Sequence, residues 1–242
     1  MGQVGALKKK FVLLQDRDLS VFRWVAEQKF ATRGQIARQF FPNERADAAR
    51  PDRVCYRRLL LLCKFGFLET RHVRTDAEQF YQVGKAGLSE LAHRGEDPLP
   101  YIGSIDLKNF EHDQRVTDVR IELAELGAKD WKSERRIKAE KTRGRWPDAL
   151  FTLGENRCAL EMELSLKRLE RYPMIFRSYV DHHSHLDAVF FVCGTQGVRD
   201  TLLRLAGDSR RFYFGLWEDA RAGFGRAVFA NRYDRVTPAE LV

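Results

Sequence analysis

The sequence predicts an α+β fold in two parts, a small helical domain closed by a β-ribbon and then an α/β domain. Three observations lead there. Apolar stripes at helical spacing recur between Asp18 and Lys64, and two short alternating runs follow them. The segment Glu96-Asp97-Pro98-Leu99-Pro100 then interrupts regular structure, which divides the chain into residues 1–97 and 98–242. Beyond it, helical and strand patterns alternate around one clear hairpin.

In the first part, a helix starts near Asp18 with Leu19, Phe22, Val25 and Ala26 on one face. Thr32 is placed to cap a second helix that runs to Phe41. Pro51 opens a third, since proline suits a first helical turn, and Gly66 stops it. Two strands, Phe67–Val73 and Gln79–Val83, flank Thr75-Asp76-Ala77-Glu78, and Lys85–Ala92 forms a closing helix. Three helices followed by a β-ribbon make a winged helix-turn-helix, an architecture whose third helix enters the major groove. Candidate DNA contacts are Arg50, Arg53, Arg57 and Arg58 on that helix, and Arg71, His72 and Arg74 on the wing. Arginine serves phosphates and guanine edges alike. The same basic face would also suit a protein-binding adaptor. Lys8, Lys9 and Lys10 add charge for phosphate contact or belong to a tail.

In the second part, Asn109–Gly127 reads as a helix with Val116, Val119, Leu123 and Leu126 on one face. A strand is expected over Ser133–Glu140, and a helix over Leu166–His183 with Pro173 as a kink. Ala188–Cys193 is an unbroken apolar run, the signature of a buried central strand. Thr201–Leu205 is helical and Arg211–Trp217 a last strand.

Between these lies the most informative stretch. Two alternating runs, Asp148–Leu153 and Cys158–Leu166, flank a turn signal. A turn centred on Glu155-Asn156 sets Asp148 opposite Glu163, with Glu161 one step along on the same face. Ala149, Phe151, Leu153, Leu160, Met162 and Leu164 make the core face. Like charges directly opposite on a sheet are destabilising, so three carboxylates there need a reason. A divalent cation supplies one, and oxygen-only ligands suit Mg²⁺ or Mn²⁺. The alternative is a solvated hairpin face carrying a Glu163–Lys167 ion pair.

Composition narrows the classes. The chain has 242 residues and a net charge of +8, which favours a polyanionic partner. Residues 1–100 hold 18 Lys and Arg against 12 Asp and Glu, a net of +6, whereas the remainder holds 24 against 22. No apolar run approaches the roughly 20 residues of a membrane span, and no secretory signal opens the chain, so membrane insertion is not expected and a cytoplasmic location is. Cys55, Cys63, Cys158 and Cys193 lack CxxC or CxxH spacing and read as buried thiols. Among other polar groups, Glu122, His112 and Asp118 read as helix-surface residues, Tyr172 and Tyr179 as packing residues, and His182, His183 and His185 as a helix end.

Pro147-Asp148, then Glu161 with a basic residue beyond, resembles the PD-(D/E)xK nuclease superfamily, with Glu163 standing in the usual lysine slot and Lys167 nearby. Together with the winged helix, His112…Asp118, Trp146-Pro147-Asp148-Ala149, Ala159–Lys167 and Arg171-Tyr172, the chain resembles the replication-relaxation family, and within it the C class of plasmid mobilization relaxases. The resemblance implies a restriction-endonuclease-like second domain and a nickase acting on double-stranded plasmid DNA at an origin of transfer. It implies Asp148 and Glu161 as metal ligands, Glu163 as a third ligand or a base for water, and Lys167 on the phosphate. Relaxosome accessory proteins and a coupling protein would be its partners. Three readings therefore stand: a metal-dependent, strand-specific endonuclease, a non-catalytic DNA-binding replication or relaxosome factor built on a decayed nuclease fold, and a toxin or defence nuclease with broad DNA preference.

Overall fold

The computed structural model describes residues 12–42, 53–72, 79–141 and 144–242. The described residues form a mixed α+β structure with two sheets. Its first part runs α1 (Asp16–Gln28), β1 (Ala31–Thr32), α2 (Arg33–Phe40), α3 (Arg53–Lys64), β2 (Leu68–Arg71), β3 (Phe80–Val83) and α4 (Lys85–His93). Thr32 caps α2 as its sequence suggests: its hydroxyl accepts from Gln35 N at 3.1 Å, while Gln35 Oε1 accepts from Thr32 N at 3.0 Å. Gly66, at φ +73°, ends α3 in a Schellman motif, with Phe67 N bonded to Leu62 O and Gly66 N to Cys63 O. Phe67 then stacks on Phe22 of α1. Strand β3 lies between β1 and β2, a pairing with β1 that the sequence reading lacked. The expected turn over residues 75–78 lies outside the described residues, as do Lys8–Lys10, Arg50 and Arg74.

The second part runs α5 (Phe110–Glu125), β4 (Lys129–Ser133), α6 (Glu134–Ala139), β5 (Ala149–Leu153), β6 (Asn156–Glu163), α7 (Tyr172–His182), β7 (Ala188–Cys193), α8 (Gln196–Leu205), β8 (Phe212–Leu216), α9 (Trp217–Ala222), β9 (Phe229–Ala230) and β10 (Arg235–Val236). The strands form one sheet in the order β10-β9-β8-β7-β6-β5-β4, with β6, β7 and β8 parallel and the remaining pairs antiparallel. The strand expected over Ser133–Glu140 is a helix instead. Ser133 turns the chain, its hydroxyl accepting from Arg136 N at 3.3 Å, and a run with few apolar residues offers no sheet face to bury. Pro173 sits in the first turn of α7, where a proline costs no hydrogen bond, so that helix starts at Tyr172 without a kink.

The hairpin turns at Gly154-Glu155, one residue earlier than the sequence suggests. Ala149 therefore stands opposite Leu160 rather than Met162, and Asp148 falls beside Glu161, not Glu163. The facing survives, because a two-position register change preserves alternation. Ala149, Phe151, Leu153, Leu160 and Met162 join Val116, Val119 and Leu123 of α5 in one core. The opposite face is not solvated: Ala159, Val189, Phe191 and Phe212 pack there against Tyr172, Phe176 and Tyr179 of α7. All six residues of β7 are buried, as expected of a strand covered on both sides. The four cysteines are free thiols, three buried and Cys63 half-buried. Among the described residues no helix is long and apolar enough to cross a membrane.

Helix α5 serves both parts. Its Ile121 packs in the first core while Val119 and Leu123 pack in the second. Gln35 donates to Asp118 at 2.8 Å, and Arg38 pairs with Glu122, so two acids of α5 are bound to α2 instead of solvent.

Candidate active site

Burial on both faces changes the meaning of the acidic pair on β6. Glu161 and Glu163 are 2% and 3% exposed, so each carboxylate must find a partner inside the protein. Glu161 finds Arg145, whose Nε and Nη2 donate to its two oxygens at 2.9 Å each. Tyr179 also donates its hydroxyl to Glu161. Burial pushes the Glu161 carboxyl up while the guanidinium draws it down; Arg145 itself is held above its ordinary value despite burial, because of Glu161. Burial prevails at Glu161, whose carboxyl stays above its ordinary value, and the two-pronged bond to Arg145 is the charge-assisted kind. Arg145 is fixed at both ends by α7, its N–H donating to Ser178 Oγ at 3.0 Å and its carbonyl oxygen 2.8 Å from His183 Nε2.

Glu163 accepts from Lys167 Nζ at 2.6 Å. The strand end carrying it is fixed by Gly194, whose N–H donates to Glu163 O at 3.0 Å. A Cβ on Gly194 would meet Leu164 O at 2.2 Å, so only glycine permits that approach. Lys167 follows in an extended link, and its own N–H donates to Tyr172 OH at 2.9 Å.

Asp148, just before β5, is held by backbone and side chain together. Its N–H donates to Leu160 O, and its Oδ2 accepts from Met162 N at 2.7 Å. The same oxygen lies 3.0 Å from His112 Nε2, while His112 Nδ1 lies 3.3 Å from Asp113 Oδ1. Burial opposes charge on His112, but Asp148 and Asp113 prevail and raise it to about 10, so the ring is an imidazolium at neutral pH. Burial likewise opposes charge on Asp148, yet His112 and the Met162 N–H keep its carboxyl below the usual range.

These groups surround a cleft of about 650 Å³ lined by Asp148, Glu163, Lys167 and His112, with Lys29, Lys108 and Trp146 also on its wall. Of the four residues singled out by sequence, three meet in this cleft. Glu161 is not on its wall and instead carries Arg145. Among the described residues no three His, Cys, Asp or Glu side chains converge as a ready cation site. The sequence reading missed Arg145 and Lys29, noted Asp113 only as a neighbour of His112 and gave His112 a surface role; a buried glutamate on a two-sided strand was the one signal that required a nearby cation.

A family model described as replication-relaxation matches residues 22–188. The chain belongs to the replication-relaxation family. Membership points to a role in the replication or relaxation of DNA. No curated protein matches the sequence.

In this replication-relaxation protein the proposed DNA contacts separate into two groups. Arg53 and Arg57 are exposed on α3. Arg58 is not free for DNA: its Nε donates to Asp18 Oδ1 at 2.9 Å, its Nη2 also bonds Asp18, and Leu13 O accepts at 2.8 Å. Arg71 is similarly engaged, with Glu69 at 2.7 Å and Gln82 at 3.1 Å. Arg58 therefore balances a buried acid, whereas the Arg71–Glu69 pair lies at the surface.

Proposed function

We propose that the protein is a metal-dependent, strand-specific DNA endonuclease that nicks plasmid DNA at an origin of transfer, with a winged-helix first domain finding the site and a PD-(D/E)xK-like second domain cutting it. The observation that carries this reading is the convergence of Asp148, Glu163 and Lys167 on one cleft, at the start of β5 and the end of β6. Two carboxylates and a lysine on one wall are the groups phosphodiester hydrolysis needs: oxygen ligands, and positive charge for the phosphate.

The donor set fits a hard divalent cation such as Mg²⁺ or Mn²⁺ through Asp148 and Glu163. His112 and Met162 both meet Asp148 on Oδ2, which leaves Oδ1 for a cation. Glu161 joins only if Arg145 releases it, so its part is to anchor Arg145 on the cleft wall. The cation, when bound, supplies activation of water and stabilisation of charge building on the phosphate. The chain's own residues do the rest. His112 keeps Asp148 ionised, and Lys167, with Lys108 on the same wall, offsets the negative charge of the DNA backbone. Exposed Arg53 and Arg57 supply contacts from α3. Relaxosome accessory proteins and a coupling protein are the partners this role implies.

A second reading has one observation in its favour. Glu161 and Glu163 each have a cation of their own, so the site is charge-balanced as it stands. That suits a DNA-binding factor with a decayed nuclease core. A supercoiled-plasmid assay separates the two, run in Mg²⁺ or Mn²⁺ with wild type and Asp148→Ala, on DNA with and without the transfer origin. Origin-dependent conversion to open circle by wild type alone supports the nickase. DNA binding without conversion under either metal overturns it in favour of the binding factor.

A further inference from the structure

The cleft is not built by the second domain alone. Lys29 lies just past the end of α1, in the first domain, and its side chain crosses to α5. Its Nζ donates to both oxygens of Asp113, at 2.7 and 2.9 Å. Asp113 is 8% exposed, and its Oδ1 also meets His112 Nδ1. The other ring nitrogen meets Asp148. Four side chains thus stand in series, Lys29–Asp113–His112–Asp148, running from the end of α1 to a carboxylate of the cleft wall.

Two features separate this chain of contacts from an ordinary surface pair. Asp113 is buried, so the cation that balances it is not replaceable by water. Lys29 also has a backbone φ of +70°, a region a non-glycine residue rarely adopts and one that persists when its surroundings require it. The conformation comes with the Lys29 side chain lying along the cleft wall, which it shares with His112 and Asp148.

We infer that Lys29 is a positioning residue: by neutralising Asp113 it holds His112, and through His112 it holds Asp148, so the first domain completes the site in the second. Without Lys29, Asp113 is left with His112 as its partner in this series, and the imidazole is drawn away from Asp148. The effect on cleavage rests on the nickase reading; the effect on His112 does not.

The test uses the full chain as wild type, Lys29→Ala and Lys29→Arg. Three quantities are read: the single-turnover nicking rate on origin plasmid with Mn²⁺, the Kd for the same DNA, and the side-chain ¹⁵N resonances of His112, assigned with His112→Asn. The expected result for Lys29→Ala is a rate at least tenfold lower, a Kd within about twofold of wild type, and displaced His112 resonances, with Lys29→Arg restoring rate and resonances. Unmoved His112 resonances in Lys29→Ala overturn the inference. So does a parallel loss of rate and DNA affinity that arginine fails to restore, which marks a merely structural lysine. Should wild type not nick at all, the nickase reading falls, and the His112 resonances alone decide the role of Lys29.

Discussion

Arg145 closes on Glu161 with two parallel hydrogen bonds of 2.9 Å, and this pair joins the wall of the cleft to the buried strand behind it. Glu161 is almost fully buried, so removing the arginine leaves a charge in the core. Breaking such a pair from one side costs about 3–5 kcal/mol, whereas replacing both partners with apolar groups is often near neutral. Arg145→Ala should therefore lower urea stability by about 3 kcal/mol or more, and Arg145→Leu/Glu161→Leu should recover much of it. The three acids do not repel one another as a naked cluster would, so Glu161→Ala should destabilise as well. A stable Arg145→Ala variant would show that water or another cation reaches Glu161.

His112 links stability to pH. Its folded value is raised from 6.5 to about 10, against an unfolded value near the ordinary one. A raised value contributes stability that is fully present below pH ~6.5 and is lost as pH rises through about 10. In the metal-free protein, the stability difference between wild type and His112→Asn should be largest near pH 6 and shrink towards pH 10. Chemical denaturation of both proteins across that range checks it. A difference that grows with pH would contradict the ion-paired assignment.

The arginines of α3 should behave in two ways. Arg57 is exposed, so Arg57→Ala should leave stability within about 0.5 kcal/mol. It should weaken DNA binding and reduce the salt slope by about 1 if it meets a phosphate. Arg58 balances Asp18, whose side chain is 1% exposed, so Arg58→Ala should cost about 3 kcal/mol through the stranded carboxylate. Denaturation curves beside salt-dependent binding isotherms distinguish the pair. Equal effects of both substitutions on affinity, with no loss of stability, would place Arg58 at the DNA.

Much of this was legible in the sequence where local rules act. Thr32 announces its helix because a capping box needs only Thr32 and Gln35, and Ala188–Cys193 announces a central strand because both its faces are buried. The hairpin register was off because Gly154-Glu155 and Glu155-Asn156 are both acceptable turns, yet the faces came out right, since alternation has a period of two. Residues 134–139 went astray because the deciding feature, the Ser133 cap, outweighs a sparse apolar pattern. Of the site, Asp148, Glu163 and Lys167 were readable as a motif. Arg145–Glu161 and Lys29–Asp113 are contacts 16 and 84 residues apart, farther than any local spacing rule reaches.

Arg120 gives the last prediction, which concerns whether the two parts unfold separately. Its guanidinium lies between two indole rings, 5.4 Å from that of Trp24 on α1 and 5.2 Å from that of Trp131 on β4, and its Nη1 is 3.3 Å from Glu27 of α1. Burial draws Arg120 down to about 10 while Glu27 opposes, so the cation persists at neutral pH. Ile121, beside it, packs into the first core while Val119 and Leu123 pack into the second. Such a shared helix ties the melting of one sheet to the other. Wild type should therefore unfold in one transition seen alike by tryptophan fluorescence and far-ultraviolet circular dichroism. Arg120→Ala leaves Glu27 with Arg136, 3.9 Å away, and removes both cation–π contacts, for a loss of about 2 kcal/mol or more, and the two probes should part. Arg120→Lys should recover only some of that, because an ammonium does not stack on two indoles as a planar guanidinium does. Non-coincident transitions already in wild type would mean that the junction does not couple the two sheets.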